Sequence, residues 1–220
     1  MCGRYRRTSS EEELTKRYHI PIPIQSDLPI SWNIAPSQPV LTIRRNPETG
    51  ERSLDALKWG LIPNWSKDGK VQYSTINARS ETVDTSAAYR GAFKKRRCLI
   101  PADSFYEWKR VDAIKIPYNI GLKSGEPFVF AGLWEGWRKS ESDEWLRTCT
   151  IITTEPNEFT ATIHNRMPVI LPEAVQEAWL SGEAGKEVLV PYASEEMTAW
   201  PISTRVNSPR NNDPSIIDQG

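Results

Sequence analysis

Cys2 stands directly behind Met1. Chain ends fray, so a thiol there has little to pack against; taken alone a cysteine at position two is more often there by chance, and what favours a chemical reason is its company elsewhere in the chain. Cysteine is small, so Met1 is expected to be removed, which would give Cys2 a free α-amine beside its thiol. The amine has a reference pKa of about 7.7–8.0 and the thiol about 8.5. A sizeable share of the amine is then neutral at physiological pH, and a few per cent of the thiol is thiolate. Together they form a 1,2-aminothiol, which reacts with an aldehyde in two steps. The amine makes an imine, and the sulfur closes on the imine carbon to give a five-membered thiazolidine. Closure is intramolecular and gains the high effective concentration of a held neighbour. An internal cysteine cannot do this, because its nitrogen is an amide.

Three further segments are more polar than the strands and turns that hold them. In "STINARSET", Asn77, Arg79 and Glu81 alternate and would share one face of a strand; a solvated edge strand reads the same way. In "ADSFYEWKR", Glu107 lies between Tyr106 and Trp108, on the alternation of Phe105. Rings beside a carboxylate desolvate it and raise its pKa toward the range useful for proton transfer, although a surface strand pairing Glu107 with a lysine fits equally. In "TIHNRMPVIL", His164 precedes an apolar run and sits near Arg166; a buried histidine satisfied by backbone is the commoner case. His19, the other histidine, closes a short helix where imidazolium suits the dipole, and it is given no function.

Bulk properties narrow the classes. The 220 residues hold 28 Lys+Arg and 28 Asp+Glu, so any contact with nucleic acid must rest on a local basic patch rather than on overall charge. The three cysteines are an odd, unpaired set, which reads as free thiols in a reducing compartment. Cys98 and Cys149 fall in apolar strands as buried, inert thiols. Two histidines and scattered cysteines lack zinc-ligand spacing, so no metal and no cofactor is expected. No P-loop, GxGxxG or GxSxG occurs. No apolar run approaches the roughly 20 residues of a membrane span, and "SSEEEL" stands where a secretory signal would be apolar. The expected location is the cytoplasm of a bacterium, or a nucleus.

The elements that would position these groups follow from pattern. "TSSEEELTKRYHI" predicts a helix capped by Ser9 or Ser10, with a glutamate three residues on. Residues 21–29 read as extended. "VLTIRR" and "RSLDALKWGLIP" predict a hairpin across "NPETGE". A helix is expected over about 85–94. "RRCLIPADSFYEWKR", "IPYNIGLK", "EPFVFAGLWEGW" and "LRTCTIIT" predict four successive strands. A short helix follows, with Thr154 as its cap, then a helix in "LPEAVQEAWLSG" with Pro172 in its first turn and Gly182 past its end. Strands and helices do not alternate regularly. The expected fold is therefore α+β: a curved, mostly antiparallel sheet or barrel-like core with peripheral helices, in one domain over residues 1–220 with a loose tail from about 208. A monomer is expected, for lack of any long apolar helix face.

"MCGRY", "WNIAPSQPV", "KWGLIPNW", "INARSET", "CLIPADSFYEWK" and "IHNRMPVIL" occur in this order from the start to about Leu171. In this the chain resembles the SRAP family, the SOS response-associated peptidase or abasic-site-processing proteins. The resemblance implies a protein that binds single-stranded DNA and captures the aldehyde of a ring-opened abasic deoxyribose as a thiazolidine DNA–protein crosslink. It implies that Cys2 supplies amine and thiol, Asn77 orients the sugar or the amine, Glu107 shuttles protons, and His164 acts as acid toward the opening sugar oxygen. Arg4, Arg79 and Arg166 become phosphate contacts, and Trp65 and Pro36 wedges against neighbouring bases. Two other readings stay open: a peptidase in which Cys2 attacks an amide, and a non-catalytic reader of modified bases.

Overall fold

The computed structural model describes residues 2–23, 28–46, 48–70 and 74–219. The middle of the expected extended stretch, residues 24–27, lies outside them. The chain opens with β1 (Tyr5–Arg7) and α1 (Glu11–Arg17). Ser10 caps α1, accepting from Glu13 N–H, while the Glu13 carboxylate accepts from Ser10 N–H in return, the reciprocal bonding the sequence anticipates. β2 (Ile22–Pro23) and β3 (Ser31–Ile34) precede a hairpin of β4 (Pro39–Arg45) and β5 (Arg52–Trp59), paired from Pro39↔Lys58 to Arg45↔Arg52. Then follow β6 (Asn77–Arg79), α2 (Arg90–Lys95), β7 (Arg97–Ala102), β8 (Ser104–Val111), β9 (Ile114–Leu122), β10 (Phe128–Trp137) and β11 (Leu146–Thr154). α3 (Glu158–Ala161), β12 (Met167–Pro168), α4 (Glu173–Ser181) and β13 (Met197–Pro201) complete the labelled elements.

Two sheets result. One has the order β13-β9-β8-β1-β3; the other runs β12-β11-β10-β7-β4-β5-β2, with β6 beside β11. β11 also pairs with β5, through Thr148↔Lys58 and Cys149↔Trp59. That contact closes β11, β10, β7, β4 and β5 into a ring, so the curved, largely antiparallel, barrel-like core with helices outside it is as expected. Alternate residues feed two cores. Leu99, Val129, Ala131 and Leu133 pack with Phe93 and Trp179 of α2 and α4. Cys98, Ile100, Phe128 and Phe130 face the other way, toward Tyr5, Trp59 and Phe105. Both faces of β7 and β10 are covered, which is why these strands read as continuous apolar runs. Tyr5 fixes the interior with edge-on contacts to Trp59 and Phe130, ring centroids 5.4 and 5.7 Å apart.

The structure departs from the sequence reading in five places. "RRCLIPADSFYEWKR" is two strands in different sheets. The chain turns at Asp103, whose carboxylate accepts from Thr8 N–H (2.5 Å), Ser9 N–H (3.0 Å) and the Ser9 hydroxyl (2.5 Å). The helix expected over 85–94 starts only at Arg90; before it the Thr82 carbonyl takes the N–H groups of Thr85 and Ser86 in turns, a competition Ser and Thr favour. Asn157, not Thr154, caps α3, accepting from Thr160 N–H at 2.8 Å, and Pro172 is the N-cap of α4 rather than a residue of its first turn. Finally, the tail from 208 is packed. Ile216 is fully buried with Tyr106, Ile202 and Val206. Asn33 Nδ2 donates to the Ser208 and Asn211 carbonyls (3.0 and 2.7 Å), and Trp200 Nε1 to the Ile217 carbonyl (2.7 Å). Polar composition suggested a loose end; the single apolar pair Ile216–Ile217 and side-chain amides across the fold hold it down.

Candidate active site

β1 runs antiparallel to β8, with Tyr5 opposite Phe105 and Arg6 opposite Ser104. The Tyr106 N–H donates to the Arg4 carbonyl at 2.9 Å, extending the pairing toward the chain start. This register brings Cys2 alongside the Glu107 region. Phe105 and Glu107 share the inward face of β8, and the Glu107 side chain is only 4% exposed. Burial pushes the Glu107 carboxyl above the ordinary carboxylate range, opposed by nearby positive charge, His164 included, and by a hydrogen bond from Trp108 N–H. The Cys2 thiol is fully buried and pushed well up, first by that burial and second by the Glu107 charge; the Arg4 N–H donates to its sulfur. Cys2 in this setting is a thiol, not a thiolate, and needs a base at the moment it reacts.

His164 follows α3 through a tight turn, its N–H donating to the Thr160 carbonyl at 2.9 Å. Its Nδ1 accepts from Arg166 N–H at 3.1 Å. Nδ1 also lies 3.2 Å from the Arg166 carbonyl, and Nε2 lies 3.9 Å from Glu107 Oε2. Glu107, Ile163 and His164 line a cleft of about 820 Å³. Ile163 also belongs to the packed cluster that holds Cys2, so the cysteine sits behind the cleft wall that bears the acid and the imidazole.

Asn77 enters from β6, which pairs in parallel with β11 at Ile151. Its Nδ2 donates to the Ile151 carbonyl at 3.5 Å, and Tyr89 Oη donates to its own carbonyl at 3.0 Å. Its Oδ1 is buried with no hydrogen-bond partner among the described residues, an acceptor left open. Ile76, the preceding residue, packs on the same cluster as Cys2. Cys2, Glu107 and His164 thus converge, whereas Asn77 is tied to them only through Ile76 on the shared cluster and does not line the cleft.

The five residues taken as DNA contacts are spread differently. Arg4 is directed inward: its Nη1 donates to Asn33 Oδ1 (2.8 Å) and the Val206 carbonyl (2.6 Å). Arg166 grips Glu81 with both terminal nitrogens and donates to the Thr153 carbonyl at 2.8 Å. Arg79 is exposed at the end of β6; Glu81, expected on the same strand face, lies beyond the strand. Pro36 is half-buried in the turn between β3 and β4. Trp65 is 57% exposed, its Nε1 donating to the Ala87 carbonyl at 3.2 Å.

Sequence reading missed other parts of the cleft. Arg110 and Lys115, opposite each other on β8 and β9, line it, as does Asn207. Asn207 Oδ1 accepts from Trp108 Nε1 at 2.8 Å. The two cations flanking the "VDAI" turn were a readable signal. Asn207, a hundred residues away in a polar segment, had none. Among the described residues no group of three His, Cys, Asp or Glu side chains is placed to hold a metal ion, and no helix is long and apolar enough to cross a membrane.

The family model for SOS response associated peptidase (SRAP) matches residues 1–209. The abasic site processing protein YoqW of Bacillus subtilis is 44% identical over 226 residues, covering 99% of each chain. The abasic site processing protein HMCES of Xenopus tropicalis is 36% identical, covering 85% of this chain and 65% of that one. A crystal structure of a Bacteroides thetaiotaomicron protein superposes over 100% of both chains with a TM-score of 0.87 at 27% identity. One from Bordetella bronchiseptica covers 92% of this chain with a TM-score of 0.80 at 28% identity.

Proposed function

The chain belongs to the SOS response associated peptidase (SRAP) family, and from that premise we propose that it processes abasic sites by bonding covalently to them in single-stranded DNA. The observation that carries this reading is the convergence of Cys2, Glu107 and His164 at one cleft, with the carboxyl raised by burial and the imidazole 3.9 Å from it.

Removal of Met1 makes the Cys2 nitrogen an amine. His164, acting as imidazolium, donates its Nε2 proton to the ring oxygen of the closed abasic sugar while the proton of the C1′ hydroxyl passes to water, so the ring opens to an aldehyde and His164 is left neutral. The Cys2 amine adds to that aldehyde. Glu107, in the protonated form that burial favours, gives its proton to the resulting hydroxyl, which leaves as water, and an iminium forms. The Glu107 carboxylate then takes the thiol proton as sulfur bonds to the iminium carbon. The products are a thiazolidine with a neutral ring nitrogen, one water, and Glu107 protonated again. A buried thiol of raised pKa suits this order, since it does not act until a carboxylate has appeared beside it. The open Oδ1 of Asn77 is suited to accept from the amine or a sugar hydroxyl. Arg79 supplies an exposed cation for the flanking phosphates.

The test is a single-stranded oligonucleotide with one abasic site, incubated with protein and run on a denaturing gel. A slow covalent band is expected, lost in Cys2→Ala and lost when a fused N-terminal tag turns the amine into an amide. A tagged protein that couples as well as the processed one would overturn the thiazolidine route. An uncoupled oligonucleotide together with peptide cleavage would favour amide attack by Cys2 instead.

A further inference from the structure

Away from the reaction cleft, two concavities of about 440 and 530 Å³ lie side by side and share Asn64, Arg96 and Glu135. They form one trough. Trp65, 57% exposed, stands at one end and Trp145, 54% exposed, at the other. Two large exposed indoles in one concavity, with Trp134 on its floor, need a reason. The lining is also cationic. Arg90, Arg96, Arg138 and Arg147 contribute, against the single carboxylate of Glu135. That carboxylate is already occupied, accepting from Arg96 Nη2 at 2.7 Å and from Gly136 N–H at 3.1 Å. The acidic residues of the adjoining hairpin, Glu141, Asp143 and Glu144, do not line the trough.

The aromatic groups are held in place rather than loose. The Trp145 ring packs against the backbone of Gly136, where an added Cβ would lie 3.2 Å from Cε3. The Arg138 guanidinium lies over that ring, 4.5 Å from its centroid. Arg44, ion-paired to Asp55 at 2.8 Å, stacks on Trp134 at 4.4 Å. Arg138 also donates Nη1 to the Glu141 carbonyl at 3.1 Å, and this fixed indole and guanidinium platform beside Arg90 and Arg147 matches a nucleobase joined to a phosphate. The trough is also tied to the reaction centre. Tyr89, whose hydroxyl holds the Asn77 carbonyl, lies between Ala88 and Arg90, both of which line the trough.

We infer that this trough is a track for unpaired DNA, receiving the strand that continues away from the abasic nucleotide. It extends the reading above, that the substrate is an unpaired strand. Bases stack at Trp145 and Trp65, and Arg90, Arg138 and Arg147 take phosphates, with no demand on base identity.

The experiment uses undamaged single strands, so it does not depend on covalent coupling. Binding of fluorescent oligonucleotides of about 5 and about 15 nucleotides, lengths spanning the usual single-strand site sizes, is read by anisotropy across a salt series. Wild-type protein is expected to prefer the longer strand. Trp145→Ala should reduce that preference roughly fivefold to a hundredfold, the range for one lost stacking contact. Arg138→Ala/Arg147→Ala should flatten the salt slope on the longer strand by about 1.4, two phosphate contacts' worth. A wild type without length preference, or variants that keep it with an unchanged slope, would overturn the inference. If the length preference falls as expected but no abasic oligonucleotide is ever coupled, the trough stands and the covalent reading fails.

Discussion

Glu107→Gln keeps the volume of the side chain and removes only its ability to exchange a proton, so it isolates the role assigned to that carboxyl. A positioned acid–base group contributes about 10²–10⁴-fold, and the coupling rate on an abasic strand is expected to fall by that range. The pH dependence carries a sign as well. Burial lifts the Glu107 carboxyl above the ordinary carboxylate range, so the unfolded chain releases this proton at lower pH than the folded one. The stability contributed by the protonated carboxyl is complete below the unfolded-state value, about 4.3, and is lost as pH rises through the folded value. Above the unfolded-state value the unfolded chain ionises this group more readily than the folded one does, and the difference weighs against the fold. Glu107→Gln is therefore expected to be the more stable protein at neutral pH, with the gap widening as pH rises from the unfolded toward the folded value; each tenfold change in that ionisation equilibrium is worth about 1.4 kcal/mol. Single-turnover coupling read on gels across a pH series, beside urea denaturation across the same series, measures both effects. The wild-type rate should decline on the alkaline side as the acid is lost, and the variant should lack that decline. A variant coupling within about threefold of wild type, far short of the range for a lost acid–base group, and showing the same alkaline decline would refute the role given to Glu107.

Three further outcomes test how the fold holds the site. Ile216→Ala should cost about 2–5 kcal/mol in chemical denaturation, because Ile216 is fully buried against Tyr106, Ile202 and Val206. Asp103→Ala should cost about 3 kcal/mol or more, since hydrogen bonds to a charged acceptor are worth roughly 1.5–3 kcal/mol each and Asp103 accepts from Thr8 and Ser9; faster proteolysis of the N-terminal strand would accompany it. Ser10→Ala should cost about 1 kcal/mol, the usual worth of a capping side chain, read as a lower urea midpoint with unchanged slope.

The sequence by itself determined the local chemistry and the local structure. The proposed aminothiol rests on a cysteine directly behind Met1. The α1 cap follows from Ser10 and Glu13 three residues apart, and the β4–β5 hairpin from two β-rich runs around a Pro-Gly turn. The desolvated carboxyl was legible because Glu107 shares its alternation with Phe105, and that alternation survives into the buried face of β8. These are short-range properties, fixed by residue type and spacing. The break at Asp103 was not legible, because what bends the chain there is a set of donors from Thr8 and Ser9, some 95 residues earlier. Nor was the packed tail, whose anchors are Asn33 and Trp200. The inward commitment of Arg4 and the pairing of Arg166 with Glu81 likewise depended on partners far along the chain. Only the tertiary structure could decide that Glu107 faces His164, or that Trp65 and Trp145 end one trough. Such meetings are set by how sheets pack and strands register, and a linear pattern of residue types does not encode which distant side chain will fill the remaining space.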